Sequence, residues 1–139
     1  MAGEIKIQLR QVSPSTTEAT MGAHQVLIDR PAAKGGADRG PMGGELFLGA
    51  VGGCFMSNLL AAIRAREAKL STLRTEVTGT IADSPARFDG LELSVDAEGP
   101  DRDLLPHLVE IADRGCIMMN TLRGKLNVKL RIATPGAVR

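Results

Sequence analysis

The chain has 139 residues, which is the size of one domain with a substantial apolar core. Its net charge is +1, it has no run of basic residues, and it contains three Phe but no Trp or Tyr, so we expect no nucleic-acid partner. Two cysteines are too few for a disulfide framework and no secretion signal pattern is visible, so we expect a cytoplasmic protein with reduced thiols.

The first 28 residues predict an antiparallel meander of three strands. Apolar and polar residues alternate strictly over 4–10, which is typical of a half-buried strand with Ile5, Ile7 and Leu9 on its apolar face. The turn and the two further β-prone stretches lie at 13–15, 16–21 and 24–28.

Residues 29–44 predict a long loop that contains two Pro and five Gly. A loop of this length without secondary structure is uncommon inside a compact domain, and such loops are often functional. This loop also delivers the chain to the most apolar segment of the protein.

That apolar segment predicts a central helix over about 44–68. Eighteen residues from Leu46 to Ile63 carry no charge, which touches the lower limit for a membrane-spanning helix. Glycine and polar residues inside the segment, and half-buried strands on either side of it, favour a buried core helix instead. Because consecutive glycines weaken a helix, Gly52 and Gly53 indicate that another helix or a substrate approaches the backbone closely.

The rest of the chain predicts a hairpin, a helical region and a final strand. A spacing of four places Leu73, Val77 and Ile81 on one face of the first hairpin strand. Gly115 ends the helical region in the usual manner of a C-terminal glycine, and Cys116 opens a further short helix. The predicted strands lie at 70–81, 91–98 and 126–132, and the helices at 101–115 and 116–122. The order β-β-β-α-β-β-α-(α)-β is typical of an α+β fold.

The two cysteines are the residues best suited to chemistry, and the sequence leaves each open to two interpretations. Cys54 is either a reactive thiol or a small buried apolar residue, since free cysteine is among the most buried residue types. Cys116 opens a helix, and a helix N-terminus favours thiolate over thiol, although any residue can follow a terminal glycine. The two lie 62 residues apart without a CxxC spacing, so the sequence alone does not show that they meet.

No metal or cofactor site is predicted. Cys54, Cys116, His24 and His107 lack the paired spacings of structural zinc ligands. The sequence contains no phosphate-binding loop, dinucleotide fingerprint or serine-nucleophile motif. We therefore expect a protein that uses neither a cofactor nor a bound metal.

Several segments resemble the OsmC/Ohr family of osmotically inducible and organic hydroperoxide resistance proteins. The family's first signature is a Pro- and Gly-rich loop leading into E-L-(L/F)-x-x-A-x-x-x-C, and it resembles PMGGELFLGAVGGCFMSNLLAA. The second is A-x-x-x-C-x-x-x-N-T-L followed by an alternating strand, and it resembles ADRGCIMMNTLRGKLNVKLRI. The loop of the shorter members resembles HQVLIDRPAAKGGADRGP. These matches cover most of residues 24–132 in the family's order.

The resemblance implies an OsmC-like α+β fold, in which an antiparallel sheet accompanies a long buried central helix in an intertwined homodimer. The central helices of two subunits would pack together, with Gly49, Gly52 and Gly53 in close contact, and the active sites would lie at the subunit interface. We accordingly interpret residues 1–139 as a single OsmC-like domain, with an N-terminal meander and loop over 1–43 and a core over 44–139.

The resemblance also implies a thiol-dependent peroxidase in oxidative-stress defence, with Cys54 as the peroxidatic thiol and Cys116 as the resolving thiol. Its substrate would be an organic hydroperoxide, and a dithiol, typically a lipoyl group in this family, would reduce the resulting disulfide. The substrate pocket would be lined partly by Phe47, Phe55 and Met118 or Met119, although Met commonly fills core gaps. The alternative is a non-catalytic OsmC-like stress protein that binds a small apolar ligand.

In the family's enzymes, an Arg held by a Glu places positive charge near the attacking sulfur. Glu45 matches the family's Glu, and Arg39 is our first choice for the Arg, with Arg30 second. Glu45 and Cys54 are nine residues apart, about 2.5 turns of one helix, so they would face opposite sides. Either the regular helix begins after Glu45, or Glu45 acts across the dimer.

Overall fold

The computed structural model describes residues 2–138. The helices and strands are β1 Gln8–Gln11, β2 Thr17–Met21, β3 His24–Ile28, α1 Gly43–Ala65, β4 Ser71–Ala82, β5 Arg87–Glu98, α2 Leu105–Gly115, α3 Ile117–Leu122 and β6 Asn127–Ile132. This order is the predicted one and confirms the α+β class. The chain divides into two compact units, one ending at Phe47 and one beginning at Leu48.

The first unit contains the predicted meander. Its three strands form one sheet in the order β1-β2-β3, and both neighbouring pairs are antiparallel. Ala19 on the central strand pairs with Leu9 on one side and Val26 on the other, and it is fully buried. Short turns between consecutive strands permit this arrangement, as the sequence predicts.

β1 is shorter and more exposed than the sequence predicts. Pairing begins at Gln8, and Ile5, Ile7 and Leu9 are 89%, 48% and 56% exposed. The prediction of a buried apolar face is therefore wrong within one chain. Alternation decides which side chains share a face, but burial also needs a second layer over that face, and β1 is an edge strand.

Asp29 organises the loop between β3 and α1. Its carboxylate accepts hydrogen bonds from the Thr16 hydroxyl at 2.9 Å and from the backbone N–H groups of Arg30, Ala37 and Arg39 at 2.7, 3.3 and 3.2 Å. Burial would raise the pKa of Asp29, but these hydrogen bonds outweigh it and lower the pKa from 3.8 to about 2. The loop is therefore built around one ionised side chain, which sequence analysis did not identify.

Two glycines let this loop pack against the strand that precedes it. A Cβ atom at Gly36 would overlap the carbonyl oxygen of Arg30, and one at Gly40 would overlap the carbonyl oxygen of Leu27. Glycine lacks a Cβ atom and so permits such close backbone approach. At these two positions the glycine-rich composition serves to fold the loop compactly.

The second unit contains a sheet in the order β4-β5-β6. β4 and β5 are antiparallel, with Val77 opposite Leu93, whereas β5 and β6 are parallel, with Leu93 opposite Leu130. The predicted antiparallel arrangement is thus correct for the hairpin and wrong for the last strand. The connection explains this, because parallel neighbours require a crossover of a dozen or more residues, and α2 and α3 lie within it.

One face of α1 is buried, and the opposite face is exposed within the chain. The buried residues are Val51, Gly52, Phe55, Leu59 and Ala62. This face lies against β4, since a Cβ atom at Gly52 would come within 2.7 Å of Val77 Cγ2. Gly49 and Gly53 are exposed, and no atom of the described chain would meet a Cβ placed on either. Of the three glycines predicted to be closely packed, Gly52 alone has a close neighbour within the described chain, namely Val77.

α1 is also long and apolar enough to cross a membrane by length and composition. Its most apolar window has a mean hydropathy of 1.9, and 28% of that window is buried within the chain. Core helices of folded domains meet the same criterion. The packing of Gly52 against Val77 is the kind of contact that a core helix makes with its sheet.

β5 is buried on both faces toward its C-terminal end. Its predicted apolar face is at most 3% exposed at Leu91, Leu93, Val95 and Ala97. Ser94 and Asp96, which the alternating pattern placed toward solvent, are only 2% and 4% exposed. The Asp96 carboxylate accepts hydrogen bonds from Arg102 Nη2 at 3.0 Å and from the N–H groups of Ala97 and Gly136, both at 2.9 Å. Burial opposes the charge of Asp96, yet these bonds lower its pKa.

Ile81, which was predicted to share an apolar face with Leu73 and Val77, is not buried. Its side chain is 65% exposed. Ile81 lies near the end of β4, where the pairing with β5 shifts register between Thr80 and Ile81 and leaves Asp89 of β5 unpaired.

Candidate active site

The second unit brings the two cysteines together. Cys54 lies on α1 and is partly exposed, whereas Cys116 lies between α2 and α3 and is fully buried. The Cys116 thiol donates a hydrogen bond to Cys54 Sγ, and the two sulfur atoms are 3.3 Å apart. This separation exceeds the length of a disulfide bond, about 2.05 Å, so the structure shows a contacting pair of free thiols.

The surroundings of Cys116 favour a protonated thiol. Burial raises the pKa of Cys116 above its ordinary value, and the neighbouring Cys54 raises it further, while the backbone N–H groups of Met119 and Met118 act in the opposite direction. The expectation that a helix N-terminus would favour thiolate at this position is therefore wrong. α3 has only six residues, and its N–H groups do not outweigh the loss of solvent around the sulfur.

Asn58 connects the segments that hold the two thiols. Its Nδ2 donates a hydrogen bond to the Cys54 carbonyl oxygen at 2.9 Å. Its Oδ1 lies over Gly115, where a Cβ atom would come within 3.2 Å of it. α2 ends at Gly115 as predicted, but Gly115 does not have the positive φ that is usual for a C-terminal glycine, and Asn58 lies beside it. Sequence analysis missed Asn58, although it lies one helical turn after Cys54.

Glu45 and Arg39 both belong to the first unit. Glu45 lies in the first turn of α1, and its Oε1 accepts a hydrogen bond from the Met42 N–H at 3.0 Å. A carboxylate at this end of a helix is favourable, because it satisfies a free N–H group and lies near the positive end of the dipole. α1 begins at Gly43, so the alternative in which the helix starts after Glu45 is wrong.

The structure gives Arg39 a backbone contact, its N–H donating to Asp29 Oδ2 at 3.2 Å. Arg30, the second choice, borders a cavity of about 470 Å³ in the first unit. The cavity is lined by Ser15, Thr17, Ile28, Asp29, Arg30, Lys34, Met42, Gly43 and Gly44. The roles of Glu45, Arg39 and Arg30 toward Cys54 stay predictions.

Of the predicted pocket residues, Phe55 and Met119 belong to the core, whereas Phe47 and Met118 are half-buried. Phe55 is fully buried and Met119 is 5% exposed, as ordinary core packing requires. Across residues 2–138, no group of three or more His, Cys, Asp and Glu side chains is arranged to hold a metal ion. The arrangement that can do chemistry is therefore the dithiol formed by Cys54 and Cys116.

Comparisons with known proteins show which family and fold the chain resembles. The family model described as OsmC-like protein matches residues 35–131, well over half of the chain. No curated protein matches the chain significantly by sequence.

Among solved structures, an OsmC-like protein from Mycoplasma pneumoniae superposes with a TM-score of 0.83 at 18% identity, covering 97% of this chain and 99% of that one. An organic hydroperoxide resistance protein OsmC from Legionella pneumophila superposes with a TM-score of 0.72 at 20% identity, covering 96% and 100%. The organic hydroperoxide resistance protein OhrB of Bacillus subtilis superposes with a TM-score of 0.67 at 23% identity, covering 94% and 98%. At these identities the similarity shows a shared fold, and together with the match over residues 35–131 it shows that the chain belongs to the OsmC-like protein family.

Proposed function

We propose that this protein is a cytoplasmic, thiol-dependent peroxidase that reduces organic hydroperoxides in oxidative-stress defence. The observation that carries the proposal is the contact of Cys54 Sγ with Cys116 Sγ at 3.3 Å, between residues 62 positions apart in the chain. Two of the structural neighbours are named organic hydroperoxide resistance proteins, which supports the same substrate class.

The first step oxidises Cys54, the more accessible thiol. Its thiolate attacks the terminal oxygen of the hydroperoxide, an S–O bond forms, and the O–O bond breaks. The alkoxide leaves and takes up a proton to become the alcohol. The peroxide is thereby reduced by two electrons, and Cys54 becomes a sulfenic acid.

The second step uses Cys116. Its sulfur attacks the sulfur of the Cys54 sulfenic acid, an S–S bond forms, and the hydroxyl group leaves. The thiol proton of Cys116 balances the departing hydroxide, so the product is water. Because burial raises the pKa of Cys116, the resting thiol carries this proton at neutral pH.

An external dithiol completes the cycle by thiol–disulfide exchange. One of its thiolates attacks the Cys54–Cys116 disulfide, and the second resolves the mixed disulfide, so that both protein thiols are restored and the reductant becomes a disulfide. A lipoyl group is the dithiol that the family resemblance implies. This cycle requires no cofactor on the protein.

Activation of Cys54 belongs to the proposal as well. An ordinary cysteine, with a pKa of about 8.5, is only a few per cent thiolate at neutral pH, and positive charge near a sulfur increases the thiolate fraction. We assign this task to Arg39, with Arg30 as second choice, and the positioning of the arginine to Glu45 acting across a dimer.

A homodimer is the assembly that we propose. Gly49, Gly53, Ser57 and Ala61 are spaced by four along α1, and all four are exposed. This spacing places them on one face, and small residues let another helix approach closely. Leu60, 49% exposed, lies beside them. Packing of α1 against its copy would cover this apolar surface.

Peroxide consumption tests the activity directly. The purified protein, given cumene hydroperoxide and a dithiol such as dihydrolipoamide, should consume peroxide with many turnovers. Cys54→Ser should reduce the rate to that of the dithiol alone. Given peroxide without dithiol, Cys116→Ser should consume one equivalent and accumulate a sulfenic acid at Cys54. Equal, slow rates in wild type and Cys54→Ser would exclude the enzyme and favour the alternative, a non-catalytic dimer that binds a small apolar ligand.

A further inference from the structure

Asn58 is placed between the two thiol-bearing segments by contacts on both sides. On α1, its Nδ2 donates to the Cys54 carbonyl oxygen at 2.9 Å, which holds the side chain in one orientation. On the other side, its Oδ1 would lie 3.2 Å from a Cβ atom at position 115. Position 115, directly before the residue that carries the resolving sulfur, therefore leaves little space for a side chain beside Asn58.

We propose that Asn58 is a positioning residue that sets the distance between Cys54 and Cys116 by resting on Gly115. The side chain donates a hydrogen bond to the backbone of one cysteine, and its Oδ1 occupies the space into which a side chain at position 115, directly before the other cysteine, would project. Its amide thus fixes how closely the start of α3 approaches α1. This distance controls the step in which Cys116 attacks Cys54.

A positioning role predicts a selective effect. Disulfide formation needs the sulfurs to close from 3.3 Å to about 2.05 Å with the proper alignment. A misplacement of about 1 Å can slow such an intramolecular step by about a hundredfold. The reaction of Cys54 with an external reagent does not need Cys116, so loss of Asn58 should leave that reaction unchanged.

An aromatic disulfide reagent separates the reaction of Cys54 from the later attack by Cys116, and it needs no peroxide. With dithiobis(nitrobenzoic acid), the Cys54 thiolate attacks one sulfur, forms a mixed disulfide and releases one equivalent of coloured thionitrobenzoate. Cys116 then attacks the Cys54 sulfur, the Cys54–Cys116 disulfide forms, and the second equivalent leaves while the Cys116 proton goes to solvent. The biological purpose of positioning by Asn58 rests on the proposed peroxidase cycle. The release of thionitrobenzoate does not depend on that cycle, so failure of the positioning role and failure of the peroxidase proposal can be recognised separately.

For Asn58→Ala we expect the first equivalent of thionitrobenzoate to be released at a rate within twofold of the wild-type rate. We expect release of the second equivalent to be slowed about tenfold. In the peroxide assay, the longer-lived sulfenic acid should show more overoxidation of Cys54 to the sulfinic acid, detected by mass spectrometry. Asn127→Ala, the same truncation at the start of β6, is the matched control and should change neither equivalent. A wild-type rate for the second equivalent in Asn58→Ala would overturn the inference, as would a wild type that fails to release a second equivalent.

Gly115→Ala gives an independent test should Asn58→Ala fold poorly. Its methyl group would press on Asn58 Oδ1, so the second equivalent should slow in this variant. In the double variant Asn58→Ala/Gly115→Ala, the methyl group has no amide to meet, and adding it should cause no further slowing. Equal effects of Gly115→Ala in both backgrounds would contradict a contact between these residues as the cause.

Discussion

The two thiols have different surroundings, and the difference suits them to different tasks in the proposed cycle. Cys54 is partly exposed, whereas Cys116 is fully buried and has a raised pKa. A sulfur that attacks an external peroxide must be accessible, while one that attacks only a neighbouring sulfur need not be. The sequence motifs identified both cysteines. The position of Cys116 at the start of a helix favoured a lowered pKa, but burial raises its pKa instead. A local sequence pattern does not reveal burial.

Asp29 provides a prediction at the same scale. Its pKa is lowered from 3.8 to about 2, so its ionised form binds the surrounding donors more strongly in the folded state. The stabilisation is fully present above about pH 4, and it is lost as the pH falls through the folded pKa. Urea unfolding followed by circular dichroism should show Asp29→Asn less stable than wild type at neutral pH.

The difference in free energy of unfolding between wild type and Asp29→Asn should shrink between about pH 4 and pH 2, because the carboxyl group of Asp29 then also becomes neutral in the wild type. A gap of constant size down to pH 2 would show that the charge of Asp29 does not hold the loop. Asp38→Asn removes a carboxylate from the same loop and should leave the pH dependence unchanged.

At the scale of single elements, α1 shows what periodicity and composition can predict. The helix was expected over about 44–68 and extends from Gly43 to Ala65, after which the backbone turns left-handed at Glu67 with a φ of 50°. Its apolar composition indicated burial but not on which side. Packing against β4 selected the face that contains Gly52, and the exposed face with Gly53 has no contact of this kind inside the chain.

The contact of Gly52 with Val77 predicts the effect of adding one methyl group. A Cβ atom at position 52 would lie 2.7 Å from Val77 Cγ2, and a β-branched side chain has little freedom to move aside. Overpacking of this kind costs about 1–3 kcal/mol, and the better helix propensity of alanine returns up to about 1 kcal/mol. We expect Gly52→Ala to lower the free energy of unfolding by about 1–2 kcal/mol.

The measurement is the urea midpoint followed by circular dichroism. Val77→Ala serves as the partner variant, because it removes the methyl groups that a Cβ atom at position 52 would meet. Adding Gly52→Ala to Val77→Ala should therefore be neutral or stabilising. If the cost of Gly52→Ala were the same in both backgrounds, the clash with Val77 would not be its cause.

At the scale of the whole molecule, apolar surface remains that the single chain does not cover. It includes the small-residue face of α1, Leu60, and the apolar side chains Ile5, Ile7 and Leu9 at the N-terminal edge. Apolar patches of this kind commonly mark interaction sites. The proposed homodimer accounts for the long uncharged helix and for glycine at positions where the chain itself requires none.

Gly53→Glu tests this assembly. No atom of the described chain would meet a Cβ at position 53, so the substitution should leave the fold of the monomer intact. In a dimer built on this face, an unpaired carboxylate would be buried at a cost of several kcal/mol, and the dissociation constant should rise at least about a hundredfold. Light scattering during size-exclusion chromatography over a range of concentrations measures the shift.

His107→Glu adds a carboxylate at an exposed position on α2 and is the control, for which we expect the wild-type mass. A dimer that persists unchanged in Gly53→Glu would show that α1 does not form the interface. A wild type that is monomeric at all concentrations would exclude the homodimer altogether.

The sequence by itself determined the order of the elements, the apolar face of β5 and the two cysteine motifs, because periodicity and short motifs are local properties of the chain. The tertiary structure alone decided that Cys54 and Cys116 meet, that β6 runs parallel to β5, and that the Ile5, Ile7 and Leu9 face stays exposed. It also placed Asn58 above Gly115, where a Cβ atom would come within 3.2 Å of Asn58 Oδ1. These features depend on which distant segments pack together, and that outcome is set by the summed packing of the whole chain rather than by any local pattern.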